Sequence, residues 1–483
     1  MEYRITVLPE NRVITARAGT VLLDALRDAG VFVDAPCGGR GKCGKCTVSV
    51  DGVSEKSCHY EVDSHITVEL PERDHLRILE QGTGYSGDET GTGYAAAFDI
   101  GTTTVVCALL DPAGKTVAVE SMANPQGSFG ADVVSRINAA VRGRGSTMTN
   151  LIRSAMTELL EACCAAAGLD PAGIETVSVV GNPAMQQLFM GIPLDNLAAV
   201  PFEPVITDAK TLPAGEYLPR CSNARLLIVP DIGGFVGADT VGCILASRIH
   251  EAKDTVLLVD IGTNGEMVLR HGDRMVACST AAGPALEGAN IRCGMRAAAG
   301  AIDHVTEEEI HVIGGGEAAG ICGSGLIDAV AVMLNKGILN RRGRVLTADH
   351  NYALTDHVCL TQEDIRQVQL AKGAIAAGIE LMARQLGIRV ENIDRCLLAG
   401  AFGSYLDPDS ACRIGLLPES LRGKITAAGN LALEGAKRLA FVETRLADIE
   451  KILKITEYLE LAVLPGFQRC FAEHMFFREE NHG

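Results

Sequence analysis

The sequence has no run of about eighteen uncharged apolar residues, the length a helix needs to cross a bilayer. Its first residues, Met1-Glu2-Tyr3-Arg4, lack the apolar stretch of a secretory signal. Both absences point to a cytoplasmic protein. A long stripe of Lys and Arg is missing too. With 43 basic against 60 acidic residues the formal net charge is −17, which repels nucleic acid and anionic lipid alike. The expectation is therefore no nucleic-acid partner and no membrane attachment. A chain of 483 residues is too long for one core and predicts about three domains. Its 47% apolar and 21% charged content fits a globular protein with substantial cores.

A disulfide framework is also excluded, because the cytoplasm keeps thiols reduced, yet the chain has 16 cysteines. Twelve are scattered or form the helix pair Cys163-Cys164, and most of these read as small buried apolar groups. The other four, Cys37, Cys43, Cys46 and Cys58, form C-x5-C-x2-C-x11-C. Residues 3–8 and 12–17 before them read as strands around Pro9-Glu10-Asn11. Thr20 reads as the N-cap of a helix over Val21–Ala29, closed by Gly30. Strand, strand and helix suggest a small β-grasp unit. Thr47–Val53 reads as a hairpin with an Asp-Gly turn, which carries Cys58 back beside Cys46. Two irons need four thiolates, and the glycine-rich loop Gly38-Gly39-Arg40-Gly41 lets N–H groups approach bridging sulfides. A structural zinc site is the plain alternative, but zinc ribbons usually present two C-x2-C knuckles and this loop has one. The spacing therefore points to [2Fe–2S]. Arg40, Lys42 and Lys45 favour the reduced cluster or steer an acidic partner, unless they are simply a solvated face.

The phrase Val256–Val268 is an apolar run ending in Asp260, a Gly262-Thr263-Asn264 turn and a second run. Ala95–Val106 repeats it with Asp99, Gly101, Thr102 and Thr103. Each reads as a strand, a tight turn and a partner strand. The glycine allows close backbone approach, turn N–H groups and hydroxyls bind phosphate oxygens, and the aspartate holds Mg²⁺ through water. One such phrase is an ordinary turn; its recurrence at domain scale implies two similar halves facing across a cleft. The pair resembles the phosphate hairpins of the acetate kinase, sugar kinase, Hsp70 and actin superfamily.

Between and beyond the hairpins the pattern alternates as in α/β proteins. Thr147–Ala167 reads as a helix, Val177–Asn182 as a strand entering a turn, and Gly320–Gly325 as the start of a helix over Leu326–Lys336. Gly320–Gly325 spaces its glycines as G-x-x-G-x-G and no ribose-binding acid follows, so it makes a weak dinucleotide motif. Pro201–Asn223, rich in turn residues, reads as the join between the halves. The Gly- and Ser-rich segment Gln81–Tyr94 reads as a flexible linker of about 20 Å reach, on which the cysteine module swings. A polar helix is expected near 72–80. The resulting division is 1–75, linker 76–93, first half 94–222 and second half 223–483.

A cysteine module ahead of this body, with Gly130-Ala131-Asp132-Val133, Thr280-Ala281-Ala282-Gly283-Pro284, Gly294-Met295-Arg296-Ala297 and Ala399-Gly400-Ala401-Phe402-Gly403 in order, resembles the reductive activators of corrinoid-dependent proteins. The likeness covers nearly the whole chain. Cys470 stands alone near the end, without the second C-x2-C-x2-C cluster of the two-cluster activators. The resemblance implies a β-grasp [2Fe–2S] ferredoxin domain followed by a duplicated actin-like ATPase fold of mixed α/β and α+β class. It implies ATP with Mg²⁺, a corrinoid protein as partner, an upstream low-potential reductant and a homodimer. Asp99 and Asp260 are the expected Mg²⁺ residues. Gly101, Thr102, Thr103, Gly262, Thr263 and Asn264 are expected at the phosphates, and Gly283, Gly400 and Gly403 against the nucleotide. Asp132, Asp239 and Glu266 are candidates for orienting water. Gly181-Asn182-Pro183-Ala184 lacks the hydroxyls relatives carry there. The implied task is to return Co(II) to Co(I), driven by ATP. Rival readings are an activator of 2-hydroxyacyl-CoA dehydratases, a metabolite kinase with a redox module, and an actin-like scaffold.

Overall fold

The computed structural model describes residues 1–71, 91–403, 405–441 and 446–478. The helix expected near 72–80 and most of the linker fall outside the described residues. Residues 91–93 are fastened to the body, Gly91 N–H donating to Pro112 O (2.8 Å) and Thr92 Oγ1 to Glu175 Oε2 (2.6 Å).

The N-terminal module has a five-stranded sheet. Glu2–Leu8 lies between Arg12–Arg17 and Ile66–Glu69, and Thr47–Val50 and Val53–Lys56 complete it beyond the latter. Alternate residues Ile5 and Val7, with Val48, Val50, Ile66 and Val68, bury one face under Leu22, Leu23 and Leu26. The Asp51-Gly52 turn has both residues at positive φ, as a two-residue hairpin requires. The helix differs from expectation at its start. It spans Leu22–Asp28 with Val21, not Thr20, at the N-cap position and no side-chain cap. Thr20 and Val21 instead pair with Glu61–Val62 as a short strand, which takes Thr20 out of capping geometry.

The body contains two six-stranded sheets that share the order of five strands, with the sixth at opposite ends. In the first, Tyr94–Ile100 pairs antiparallel with Thr104–Leu110 and parallel with Ile174–Gly181, which runs parallel to Arg225–Ile228; Thr116–Ala123 and Lys210–Pro213 form the edges. In the second, Val256–Ile261 pairs antiparallel with Gly265–His271 and parallel with Arg395–Ala399, which runs parallel to Ile425–Gly429. Arg274–Thr280 and Thr456–Tyr458 extend its other side. The repeated order is what duplication of one unit produces. Arg225–Ile228 belongs to the first sheet, so the join lies beyond residue 228 and not at 222/223. The reason is its parallel pairing with Ile174–Gly181, which no local pattern encodes.

Between the sheets, helices Ala238–Ser247 and Leu431–Leu439 cross, sharing a core with Ala97, Val180 and Leu227 of one sheet and Val256, Leu258 and Val268 of the other. Their backbones touch at Gly242 and Gly435: a Cβ on Gly435 would lie 2.3 Å from the Gly242 Cα. Helix Gly145–Ala167 covers the outer face of the first sheet, and Gln362–Gln385 that of the second. This crossing fixes how the two halves face each other. Replacing Gly435 by Val is expected to destabilise the body by about 3 kcal/mol through overpacking against backbone. The check is a lowered urea midpoint of the body, with the N-terminal module unaffected.

Candidate functional site

The two repeated hairpins meet at one cleft. Asp99 and Asp260 end the central strands, and the turns that follow bring Thr103 Oγ1 within 3.0 Å of Thr263 Oγ1. Asp99, Gly101, Thr102, Thr103, Asp239, Asp260, Gly262, Thr263, Asn264, Glu266 and Gly400 all line it. Gly400, at φ +85°, passes so close that a Cβ would lie 2.5 Å from Asp260 Oδ1. The structure places the other expected residues elsewhere. Asp132 caps the helix Val133–Ala139, its two oxygens taken by Ser135 N–H and Ser135 Oγ (2.7 Å each), and does not line the cleft. Gly283 turns the chain at φ +77° into a short helix, and Gly403 packs against Leu398; neither lines the cleft.

Four carboxyls share the cleft floor, and the arrangement pushes each upward. Desolvation is the main cause for all four. It raises Asp99 and Asp239 to about 7 and Asp260 to about 6, with like-charge neighbours adding to it for Asp99 and Asp239. Glu266 is raised further, with Asp239 and Asp260 contributing. Hydrogen bonds offset this only in part: Asn430 Nδ2 donates to Asp99 (3.1 Å), Cys243 Sγ to Asp260 (3.4 Å), Thr240 N–H to Asp239 (2.7 Å) and Ser279 Oγ to Glu266 (3.2 Å). Crowded oxygen donors of this kind suit a hydrated divalent cation.

Three residues that the sequence reading did not place at the site are there. Asn430 holds Asp99. Asn182 lies in the cleft and donates to Thr102 Oγ1 (3.1 Å). Glu287 accepts from Thr103 Oγ1 (2.6 Å) and Thr263 Oγ1 (2.9 Å), bridging both hairpins. The only advance signal for Glu287 was the Gly283-Pro284 turn just before it.

The four cysteines converge as the spacing implied. Cys37 and Cys43 sulfurs lie 3.3 Å apart, and Cys58 lies beside Cys46, whose carbonyl accepts from Ser57 N–H (3.0 Å). Burial raises the Cys37 thiol, but the Cys43 N–H and thiol and the N–H groups of Lys42 and Gly39 outweigh this and bring it down to about 6. Left-handed glycines at 38, 39, 41 and 44 turn those N–H groups inward. Four sulfurs in a ring of N–H donors fit two irons bridged by sulfides. Ten of the other twelve cysteines are buried, as small apolar groups would be. Cys470 lies near Glu380 and His474, but Glu380 is already paired with His474 (2.6 Å) and Arg384.

The cysteine module is seated on the body through Ser128–Ala131. Ala131 N–H donates to Pro36 O (3.1 Å), Arg27 donates to Ser128 O and lies 5.0 Å over the Phe129 ring, and Arg144 pairs with Asp28 (2.5 Å). The same segment supports the first hairpin. Asn124 Nδ2 donates to Gly101 O (2.8 Å), and Arg136, only 1% exposed, donates to Thr102 O and to Gly130 O (3.0 Å).

Family models match almost the whole chain: a 2Fe-2S iron-sulfur cluster binding domain at residues 5–71, the RACo middle region at 94–252, and the C-terminal domain of RACo, the ASKHA domain, at 254–483. The corrinoid activation enzyme RamQ of Eubacterium limosum is 34% identical over 419 residues, covering 80% of this chain and 70% of the relative. The chain belongs to the family of these corrinoid-protein activators. The Co(II) methylated amine-specific corrinoid protein reductase of Methanosarcina barkeri is 29% identical over 78% of this chain and 76% of its own. A solved reductive activator for corrinoid, iron-sulfur protein superposes with a TM-score of 0.72 at 26% identity, covering 98% of both chains. The activator family thus carries the expected architecture, a ferredoxin domain followed by an ATPase body. Among the described residues no helix is long and apolar enough to cross a membrane.

Two outcomes follow. Anaerobically prepared protein is expected to be brown, to hold about two irons per chain and to give an S = 1/2 signal on reduction; zinc without iron would rule the cluster out. The second concerns the carboxyls. A group raised in the folded state stabilises the fold fully below its unfolded pKa near 3.8, and loses that stabilisation as pH rises through about 6 to 7. The cation-free body should therefore melt at a lower temperature at pH 8 than at pH 5.5, and Mg²⁺ should raise the midpoint more at pH 8. Equal stabilisation by Mg²⁺ at both values would show that these acids do not hold it.

Proposed function

We propose that this chain is an ATP-dependent reductive activator that returns a protein-bound Co(II) corrinoid to Co(I) by delivering one electron. The observation that carries this reading is the seating of a four-cysteine module on the very segment that supports the Gly101–Thr103 phosphate hairpin. When bound, a [2Fe–2S] cluster supplies one electron, at a potential near −400 mV in plant-type ferredoxins, from whose C-x4-C spacing this loop departs by one residue. The Co(II)/Co(I) step demands a still lower potential, and each 59 mV uphill costs about 1.4 kcal/mol. ATP in the cleft, or tighter binding of one corrinoid state, supplies that difference through a population shift.

Each part of the chain has a task in this reading. Cys37, Cys43, Cys46 and Cys58 hold the cluster, and the loop N–H groups offset its negative charge. Exposed Arg40, Lys42 and Lys45 surround the loop and favour docking of an acidic partner. Asp99 and Asp260 position Mg²⁺, while Thr102, Thr103, Thr263 and Asn264 hold phosphates. Asn124 and Arg136 tie the hairpin to the module's seat. An upstream low-potential reductant, a homodimeric assembly, absence of nucleic acid and a cytoplasmic setting complete the proposal.

Hydrolysis and electron delivery should separate. No residue of 1–71 contributes to the body's cores, so a chain beginning at residue 91 is expected to fold and hydrolyse ATP. It should produce no Co(I) absorbance in a single turnover with a cognate Co(II) corrinoid protein. Asp260→Ala in the full chain should lower hydrolysis about 10- to 100-fold and leave the iron spectrum unchanged. A truncated body that forms Co(I) at the full-length rate from the same reductant would show that the module is not the donor.

A further inference from the structure

Among the carboxylates facing the cleft, Glu287 differs in what it touches. Asp99, Asp239 and Asp260 are each held by an amide, a backbone N–H or a thiol from outside the two turns, and Glu266 by Ser279 and by Asn264 of the second turn alone. Glu287 Oε2 instead takes one hydroxyl from each phosphate hairpin, Thr103 at 2.6 Å and Thr263 at 2.9 Å, and those hydroxyls are 3.0 Å from each other. A single carboxylate oxygen therefore sits at the meeting point of both hairpins. Its backbone is held from both sides. Glu287 ends the short helix Pro284–Glu287, and Gly288 after it packs so tightly on Met295 that a Cβ would lie 2.3 Å from the Met295 carbonyl oxygen. The buried Arg136 guanidinium interacts electrostatically with Asp132 and, more weakly, with Glu287.

We propose that Glu287 is the catalytic residue that orients the water for ATP hydrolysis, and that in the empty cleft its carboxylate stands in for the terminal phosphate. The inference rests on the cleft binding and hydrolysing ATP. When a triphosphate enters, its terminal oxygens take over the Thr103 and Thr263 hydroxyls, and the displaced carboxylate remains the nearest anion to the terminal phosphorus. There it accepts a hydrogen bond from water. The water oxygen bonds to that phosphorus, the bond to the bridging oxygen breaks with its electron pair leaving on ADP, and a water proton passes through Glu287 to the released phosphate. The same negative charge repels the terminal phosphate in the ground state, so it disfavours triphosphate binding while assisting hydrolysis. Asp132, the helix cap, does not line the cleft.

The test uses the full chain and Glu287→Gln, which keeps an oxygen acceptor for both hydroxyls and removes the charge. The expected result is a kcat for ATP hydrolysis lowered about 100-fold. In titrations a non-hydrolysable ATP analogue should bind about tenfold tighter, with ADP unchanged within about twofold, because only the third phosphate meets the carboxylate. Glu287→Asp should recover part of kcat. A Gln variant that hydrolyses within about threefold of the parent, or one whose loss of kcat comes with weaker analogue binding, would overturn the proposal and leave Glu287 a structural tie. Should the parent chain hydrolyse no ATP, the reading of the cleft fails, and the analogue titration still decides whether Glu287 occupies the phosphate position.

Discussion

Four carboxyls set around one cleft floor are the constraint to which the rest of the body conforms. Left alone they repel each other and resist desolvation, which is why Asp99, Asp239, Asp260 and Glu266 all stand above their ordinary range. Holding them in place takes two sheets of matched order, each presenting an aspartate at the end of its central strand, and a helix pair that meets at Gly242 and Gly435 without side chains between. The cleft is a place prepared for a cation and phosphates, and the protein's own neutral donors only partly substitute for them.

The first hairpin also belongs to a second structural unit. Asn124 and Arg136 bind its carbonyls, and the chain between them forms the seat for Pro36 and Arg27 of the cysteine module. Buried Arg136 is at the centre of this arrangement: burial lowers it to about 9, with Asp132 and Glu287 as its electrostatic partners, and its nitrogens reach Thr102 O, Gly130 O and Met185 Sδ. The phosphate hairpin and the module's seat therefore share one packed segment.

The parts of this protein that local sequence determined are those where one short stretch carries its own chemistry. Cys37, Cys43, Cys46 and the Asp51-Gly52 turn that returns Cys58 specify a thiolate cage, because the ligands are close in the chain and the turn geometry is local. The two Asp-x-Gly-Thr phrases specify strand, turn and strand for the same reason, and their repetition announces the duplicated body. Tertiary structure decided what depends on distant partners. Arg225–Ile228 joins the first sheet through parallel pairing, and Thr20 becomes strand instead of helix cap by pairing with Val62. Asp132, a candidate from the Gly130–Val133 stretch, instead caps its own helix through Ser135 and lies off the cleft lining. Glu287, Asn182 and Asn430 enter the cleft from three separate elements. Their roles come from side chains brought together across up to 331 positions of sequence, as between Asn430 and Asp99, and no local period or spacing records such a meeting.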